Sequence, residues 1–247
     1  MSVPGLLRQF NFASRWLHTV PVDKWRLAAP TFDRWLYLQL HRWGAMGRKE
    51  AELLRRHVEP GMTVVDIGAN IGLYTLLLAK LAGPKGLVHA FEPDPIMQAA
   101  CAENLRLNEA RTVTLYPLAL GARSSRITLH RSVFNLGDNR LSRHEADSFS
   151  EPVEVCVARL DEVLSNVRID FLKMDVQGWE VEVLRGMEGL LSLGSPSQML
   201  VEYWPYGLLR AGTCAQDLLA ILGRHGYRFQ NPPALSGKRF CNVLASR

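Results

Sequence analysis

Long apolar runs, paired cysteines and a recognisable secretory signal are all missing from this sequence. No apolar stretch approaches the roughly 20 residues that span a membrane. Arg8 and Arg15 interrupt the apolar core that a secretory signal requires. The four cysteines form no C-x-x-C pair, so we predict free thiols in a cytoplasmic protein and no zinc site. They are Cys101, Cys156, Cys214 and Cys241.

A strong charge of one sign is also missing. The net charge is +5 over 247 residues, and acidic and basic residues are mixed along the chain. A nucleic-acid-binding protein usually carries a basic stripe with interleaved aromatic residues, whereas this chain has only short pairs such as Arg55-Arg56. We therefore predict no nucleic-acid partner.

Residues 1–60 differ in composition from the rest of the chain, because they hold four of the six tryptophans. Proline and glycine divide this part into short predicted helices, the last of them at 48–58. Apolar residues at helical spacing near the N-terminus could lie on a membrane surface or pack on the chain's own domain or a second subunit. We interpret residues 1–60 as a helical extension that acts as a cap or a homo-oligomer contact, since it is too short to bury its aromatic residues alone. The helical stripe consists of Leu6, Phe10, Ala13 and Leu17.

Strands and helices alternate regularly in residues 61–247. This order predicts an α/β domain with a mostly parallel sheet, helices on both faces and an antiparallel C-terminal hairpin. A strand pair at 126–130 and 153–158, joined by a polar segment, interrupts the alternation. The predicted strands of the main sheet are 63–67, 87–91, 113–118, 169–174, 199–203, 227–230 and 240–245, and the predicted helices are 71–82, 96–107, 179–191 and 215–225.

The segment "VVDIGANIGLYT", residues 64–75, has the order strand, carboxylate, glycines and helix. Asp66 ends the strand, and Gly68 and Gly72 allow a ligand to approach the backbone. Glu92 stands 26 residues after Asp66, at the end of the next predicted strand, where an acid reaches the two hydroxyls of a ribose. Ligands of open α/β sheets bind at this edge, although the glycines could also form a purely structural turn.

The glycine spacing distinguishes two cofactors. A dinucleotide site needs G-x-G-x-x-G facing a pyrophosphate, but this loop has G-x-N-x-G beside a carboxylate. A carboxylate suits a cationic ligand better. S-adenosylmethionine, which carries a sulfonium and an ammonium group and no phosphate, is therefore the predicted cofactor, and S-adenosylhomocysteine the predicted product. A nicotinamide oxidoreductase is the alternative.

Five segments together resemble the FkbM-type methyltransferases, a branch of the class I S-adenosylmethionine-dependent enzymes. They are "VVDIGANIGLYT", "AFEPDP", "NLRLN", "LKMDVQGWEVEVLRGM" and "VEYWP". The resemblance begins near residue 50 and reaches the C-terminus. It implies a Rossmann-like seven-stranded sheet and methyl transfer, commonly to oxygen. The family's commoner D-V-E-G is D-V-Q-G here, with Gln177 in place of the acid.

The segment "FLKMDVQGWEVEVLRGM", residues 171–187, places two charges in a strand that should be buried. Asp175 would lie at the same edge as Asp66 and Glu92, where it could orient the cofactor or accept a proton from an acceptor hydroxyl. Lys173 lies on the same face of the strand and could pair with Asp175 or Glu202. The alternative is an ion pair with a structural role only.

The predicted site comprises three groups of residues and no metal. The polar segment 131–152 could line an acceptor pocket or form a surface loop. The predicted catalytic residues are Asp175 and Lys173. The predicted cofactor contacts are Asp66, Gly68, Ala69, Asn70, Gly72, Tyr74, Thr75, Glu92, Pro93, Ala119 and Asp175. The predicted acceptor contacts are Asn135, Asp138, Asn139, His144 and Glu202.

The predicted function is methyl transfer from S-adenosylmethionine to a hydroxyl oxygen of a sugar or natural product. The predicted partner is accordingly a small-molecule or glycan acceptor. Two alternatives stay open at this point: N-methylation of a small molecule or peptide, and a non-catalytic scaffold that only binds the cofactor.

Overall fold

The computed structural model describes residues 17–22, 25–30, 47–132, 140–141, 150–230 and 241–247. The strands are β1 (Leu17–Val22), β2 (Trp25–Pro30), β3 (Thr63–Ile67), β4 (Leu87–Phe91), β5 (Val113–Tyr116), β6 (Ala119–Leu120), β7 (Ser125–Ser132), β8 (Arg140–Leu141), β9 (Ser150–Ala158), β10 (Phe171–Met174), β11 (Gln198–Tyr203), β12 (Arg228–Phe229) and β13 (Cys241–Ser246). The helices are α1 (Arg48–His57), α2 (Leu73–Ala82), α3 (Pro95–Leu107), α4 (Leu160–Val163), α5 (Glu180–Arg185), α6 (Glu188–Ser192), α7 (Pro205–Arg210) and α8 (Ala215–Arg224).

The central sheet has seven strands in the order β12-β13-β11-β10-β3-β4-β5. The five strands from β11 to β5 are parallel, and β13 runs antiparallel to both β11 and β12. All four residues of β10 are buried, as expected for a strand that is covered on both faces. The predicted Rossmann-like sheet and its antiparallel C-terminal pair are therefore confirmed.

Helices cover both faces of this sheet because neighbouring strand residues point in opposite directions. Val64 and Phe171 pack against α1 and α2 on one face. Val65 and Leu172, one residue further along each strand, pack against α5, α6 and α8 on the other face. Lys173 and Asp66 each lie two residues after Phe171 and Val64, so their side chains are on the same face of the sheet. Both charged residues are therefore on the α2 side.

A second sheet with the order β6-β9-β7-β8 stands between β5 and β10 in the chain. Its main ladder is the antiparallel pair β7–β9, which confirms the predicted strand pair and extends it at both ends. The predicted strand 113–118 is wrong in extent, since it stops at Tyr116 and the chain resumes as β6 in the second sheet. Pro117 explains the break, because proline cannot donate the next ladder hydrogen bond.

The prediction of short helices throughout residues 1–60 is wrong for residues 17–22 and 25–30. These residues form an antiparallel β-hairpin, and only α1 confirms the helical prediction. Leu27 and Ala29 of the hairpin pack against Met97 and Ala100 of α3. Residues 17–22 have the sequence LHTVPV, whose β-branched residues favour a strand and whose proline disfavours a helix. Of the predicted helical stripe, Leu17 begins β1, and Leu6, Phe10 and Ala13 lie outside the described residues.

The predicted helix 179–191 is also wrong as one element, because it divides into α5 and α6. Gly186 lies between them, and a Cβ atom there would stand 2.1 Å from the carbonyl oxygen of Gly121. The break therefore lets the second sheet approach closely. Within the described ranges, no helix is both long and apolar enough to cross a membrane.

Asn104 joins the hairpin to the domain. This fully buried side chain donates to the carbonyl oxygens of Ala28 at 2.9 Å and Ile71 at 2.7 Å, and it accepts from the Ala28 N–H. Asn108, one turn later, forms a similar pair of hydrogen bonds with the backbone of Arg26. The two asparagines of the "NLRLN" segment thus attach the hairpin to α3 through hydrogen bonds to its backbone.

We expect Asn104→Leu to lower the free energy of unfolding by about 3 kcal/mol, because it leaves buried backbone groups without partners. Chemical denaturation measures this loss. Asn108→Leu is the matched control and should cost less, since Asn108 is only partly buried. Equal losses for the two variants would contradict the role assigned to Asn104.

Candidate functional site

The predicted charged residues meet at the carboxyl edge of β3, β4 and β10. Strand register places Asp66 of β3 beside Lys173 of β10 on one side and Ala90 of β4 on the other. Because these strands are parallel, the loops that follow them emerge at the same edge. The glycine loop after β3, the acidic turn after β4 and the segment 175–178 after β10 therefore lie together.

The glycine loop has a backbone that only glycine adopts easily. Gly68 and Gly72 both have φ of +83°, and Asn70 between them has φ of +52°. A Cβ atom on Gly68 would stand 2.0 Å from the carbonyl oxygen of Asp175. The glycine therefore permits a close approach between the loop after β3 and the loop after β10.

Glu92 ties the glycine loop to the acidic turn. Its two carboxylate oxygens accept from the N–H groups of Asn70 at 2.8 Å and Asp94 at 2.9 Å. Burial, followed by the charge of Asp94, raises the pKa of Glu92 to about 8. A carboxylate oxygen accepts more than one hydrogen bond, so Glu92 can still bind hydroxyl donors.

Lys173 is the buried cation at the centre of the site. Its Nζ lies 3.6 Å from Asp66 Oδ1, 3.7 Å from Asp175 Oδ2 and 4.9 Å from the ring centroid of Tyr74. Burial lowers the pKa of Lys173, but Asp66 and Asp175 outweigh that effect, so the pKa is raised. The lysine is therefore charged, and it pairs with two carboxylates from neighbouring strands.

Asp66 and Tyr74 connect this centre to α1 and α2. Thr75 of α2 donates its hydroxyl to Asp66 Oδ2 at 2.6 Å. The hydroxyl of Tyr74 accepts from the N–H of Gly47 at 3.2 Å, immediately before α1. Burial raises the pKa of the Tyr74 phenol, which makes it neutral. The start of α1 is therefore in contact with the site.

Gln177 joins Asp175 to Glu202, and the sequence analysis assigned it no role. Its Nε2 donates to Asp175 Oδ1 at 2.8 Å and to Glu202 Oε2 at 3.0 Å. Burial, followed by the charges of Asp175 and Glu180, raises the pKa of Glu202 strongly. The departure from D-V-E-G was a signal in the sequence, but only the fold brings Glu202 within reach.

Glu180, at the start of α5, is a further buried acid beside this loop. Its Oε1 accepts from the N–H of Gly178 at 3.1 Å and of Val176 at 3.3 Å. Burial raises the pKa of Glu180 to about 7. Glu180 therefore fixes the turn at 175–178 by accepting hydrogen bonds from its backbone.

Arg131 is a second residue that sequence reasoning missed. It extends from β7 of the second sheet and makes two hydrogen bonds with the buried Asp94, at 2.7 and 3.0 Å. Asp94 in turn caps α3 through the N–H of Ile96 at 2.7 Å. The second sheet is thus fastened to the acidic turn that contains Glu92. The sequence analysis had placed Arg131 only in a polar segment.

The structure therefore brings most of the predicted residues together at this edge. One network centres on Lys173, and the other connects Glu92, Asp94 and Arg131. Pro93 follows Glu92, Ala69 donates its N–H to the Phe91 carbonyl oxygen at 3.0 Å, and Ala119 begins β6. None of these three apolar side chains adds a polar group to the site. Among the described residues, no group of three or more His, Cys, Asp and Glu residues could hold a metal. Four of the predicted acceptor contacts lie outside the described residues, namely Asn135, Asp138, Asn139 and His144.

The site carries more carboxylates than cations. Lys173 faces Asp66, Asp175 and Glu202, and Glu180 lies close behind them. Such an edge attracts a positively charged ligand and repels phosphate groups. The geometry thus supports the charge argument drawn from the glycine spacing.

The chain is similar to known methyltransferases. A family model described as "Methyltransferase FkbM domain" matches residues 66–229. The match contains the glycine loop, the acidic turn, the second sheet and the Asp175 segment. It extends as far as β12.

Two curated relatives are similar to about half of the chain. Methyltransferase sdnD of Sordaria araneosa is 34% identical over 157 residues, which cover 51% of this chain and 60% of that protein. The 2-O-methyltransferase NoeI of Sinorhizobium fredii is 32% identical over 145 residues, covering 52% of this chain and 58% of that protein. The chain thus spans about 60% of the length of these relatives.

A solved structure shares the fold over nearly the whole chain. The crystal structure of EvdMO1 has a TM-score of 0.50 and 13% sequence identity, and the match covers 99% of this chain and 47% of that one. At this identity the likeness concerns the fold alone.

The buried acid Glu180 gives a pH-dependent contribution to stability. Its pKa is raised from 4.5 to about 7, so the folded state binds the extra proton. The contribution is present below pH 4.5 and is lost as the pH rises through about 7. The Glu180→Gln variant does not have this loss. As the pH rises from 4.5 to about 7, its free energy of unfolding should therefore increase relative to that of the wild type, by about 3 kcal/mol at most.

Chemical denaturation at several pH values measures the effect. Glu188→Gln is the control, because Glu188 is an exposed acid on α6, the next helix. It should leave the pH dependence unchanged. A Glu180→Gln profile parallel to the wild type would show that Glu180 is ionised in the folded protein.

Proposed function

Because the chain belongs to the FkbM methyltransferase family, we propose that it transfers a methyl group from S-adenosylmethionine to a hydroxyl oxygen of a small-molecule or glycan acceptor. The observation that carries this proposal is the acidic edge formed by Asp66, Glu92 and Asp175 around a glycine loop. The relative NoeI is named as a 2-O-methyltransferase, which supports an oxygen acceptor.

The residues present fit this cofactor. Glu92 would accept hydrogen bonds from the ribose hydroxyls, because it is held by two backbone N–H groups and has lone pairs left. Asp66 Oδ1 is buried and, among the described residues, has no hydrogen-bond partner, although Lys173 lies 3.6 Å away. A carboxylate in this state favours a cationic ligand group. Gly68 and Gly72 would admit the ligand close to the backbone.

The sulfonium group supplies an activated methyl, so the protein's tasks are alignment, exclusion of water and removal of one proton. An oxygen–carbon bond forms as the sulfur–carbon bond breaks, and the acceptor hydroxyl loses its proton. Asp175 would take that proton, because it directly follows the central strand β10 and its side chain is 32% exposed, unlike the buried Asp66. Lys173, 3.7 Å away, would orient the carboxylate and balance its charge.

The segment before the methyltransferase domain also contributes to this proposal. The N–H of Gly47 bonds the hydroxyl of Tyr74, and Glu50 accepts from Asn242 of β13 at 3.1 Å. We propose that residues 61–247 are the methyltransferase domain and that residues 1–60 cap it beside the acceptor. The homo-oligomer contact stays a prediction.

Replacing Glu92 should weaken cofactor binding. We expect Glu92→Ala to lower the affinity for S-adenosylhomocysteine by about ten- to hundredfold, since two hydrogen bonds to the ribose are lost. Isothermal titration calorimetry measures the affinity. Glu103→Ala is the control, because Glu103 pairs with Arg106 on the surface of α3. Wild-type affinity in Glu92→Ala would remove Glu92 from the cofactor site.

Replacing Asp175 should affect turnover far more than binding. We expect Asp175→Asn to reduce methyl transfer by about 10²- to 10⁴-fold, the range for loss of a general base. The assay follows label from S-adenosylmethionine into a cell extract, and mass spectrometry identifies the product. Affinity for S-adenosylhomocysteine should change much less, because Asp66 and Glu92 are intact.

Asp170→Asn is the matched control for this variant. Asp170 immediately precedes β10 at its other end, where it accepts from the Thr63 N–H at 2.9 Å. Its replacement should lower the melting temperature and leave turnover intact. Normal turnover with a lowered melting temperature in Asp175→Asn would mean that Asp175 is only part of a structural ion pair. Tight S-adenosylhomocysteine binding by the wild type without any labelled product would favour the scaffold.

A further inference from the structure

Among the described residues, three acids surround the buried Lys173, and a fourth, Glu180, lies beside Asp175 and Glu202. Asp66, Glu180 and Glu202 are all buried, and only Asp175 has a substantially exposed side chain. Four negative charges against one positive charge would be strongly repulsive away from water. Some of these acids must therefore hold a proton when the protein is folded.

The placement of Asp175 and Glu202 identifies which acids interact most closely. Asp175 directly follows β10, and Glu202 is the penultimate residue of the neighbouring parallel strand β11. The strand register pairs Met174 with Val201, one residue before each acid. Both accept from the same amide nitrogen of Gln177, at 2.8 and 3.0 Å. One amide group with two hydrogens thus clamps two carboxyl groups side by side.

Gln177 holds this position at a cost in backbone conformation. Its φ is +55°, in the left-handed region that side chains other than glycine rarely adopt. A Cβ atom on the following Gly178 would stand 2.4 Å from the carbonyl oxygen of Gly207, so α7 presses on the same turn. The backbone therefore fixes the amide between the two strand ends.

We propose that Asp175 and Glu202 form one carboxyl pair that shares a single proton, and that Gln177 is the positioning residue that clamps them. Glu202 is the buried member and carries the proton, while Asp175 faces the acceptor. The part played by the pair in methyl transfer rests on the proposed function. The pair itself does not.

The surroundings of Glu202 favour the neutral acid. Burial raises its pKa most, the charges of Asp175 and Glu180 raise it further, and Lys173 lowers it. A hydrogen bond with Asp175 also raises the pKa, as expected when a protonated carboxyl donates to a carboxylate. On the adjacent strand β13, the Cys241 thiol has a raised pKa, chiefly from burial and then from Glu202. Among the described residues that act most strongly on Glu202, Lys173 is the cation.

A neutral Glu202 serves the acceptor site in two ways. It leaves one ionised carboxylate, Asp175, at the exposed end of the pair, where the acceptor's proton would be taken. It also leaves Lys173 shared by Asp66 and Asp175 alone, with one net negative charge. That charge matches a cofactor whose sulfonium and ammonium groups exceed its single carboxylate by one positive charge.

Infrared spectroscopy tests the pair without any acceptor. The probe is the carbonyl stretch of a protonated carboxyl group in the wild-type protein at about pH 9, where an ordinary glutamic acid is ionised. We expect the difference spectrum between wild type and Glu202→Gln to contain this band. The Glu182→Gln control should leave the band in place, because Glu182 is buried but paired with Arg185. A difference spectrum without the band would overturn the proposal.

Removing the clamp should shift the titration of the pair upward. In Gln177→Leu the amide no longer donates to the ionised carboxylates, so the band should persist to a pH about one unit higher. Gln177→Gly is the second variant, since glycine suits the left-handed backbone and also lacks the donor. An unchanged midpoint in both variants would remove Gln177 from the pair.

Calorimetry separates this proposal from the proposed function. The wild-type protein is titrated with S-adenosylhomocysteine alongside the infrared measurement. Binding without the infrared band would overturn the carboxyl pair and leave the cofactor assignment standing. The band without binding would support the pair and overturn the proposed function.

Discussion

The ion pairs of Lys173 with Asp66 and Asp175 are the interaction on which the rest of the site depends. A buried ammonium group without partners would be strongly destabilising, so the lysine requires carboxylates on two neighbouring strand ends. Asp66 is in turn fixed by Thr75 of α2. The pairing therefore connects β3, β10 and α2, the helix that follows the glycine loop. The residues of the proposed site therefore also contribute to stability.

Close backbone contact is the second constraint. The loop after β3 approaches the loop after β10 so tightly that Gly68 has no room for a side chain. The second sheet approaches the gap between α5 and α6 at Gly186 in the same way. These contacts, together with the bond between Arg131 and Asp94, hold three chain segments that are distant in sequence around one edge. A ligand at this edge would thus meet a preorganised surface.

Local sequence did not predict the structure correctly where contacts with a segment distant in the chain determine it. The residues of the hairpin at 17–30 carry strand-forming side chains, but the prediction extended the helical pattern of nearby segments over them. The hairpin depends on Asn104, which supplies hydrogen bonds from 76 residues away. Gln177 is a similar case, because its role exists only when Glu202 from the next strand is within 3.0 Å. No local pattern encodes such pairings.

The sequence by itself determined the fold class, and it predicted that Asp66, Glu92, Lys173 and Asp175 lie at one edge of the sheet beside the glycine loop. Each of these follows from short-range rules: buried parallel strands are continuously apolar, and charges within them mark strand ends at a binding edge. Tertiary structure alone decided which carboxylates share the lysine, that Gln177 clamps two acids, and that a second sheet is fastened to the acidic turn. The physical reason is that burial and side-chain pairing between distant segments set the protonation and position of each acid, and neither quantity is a property of local sequence.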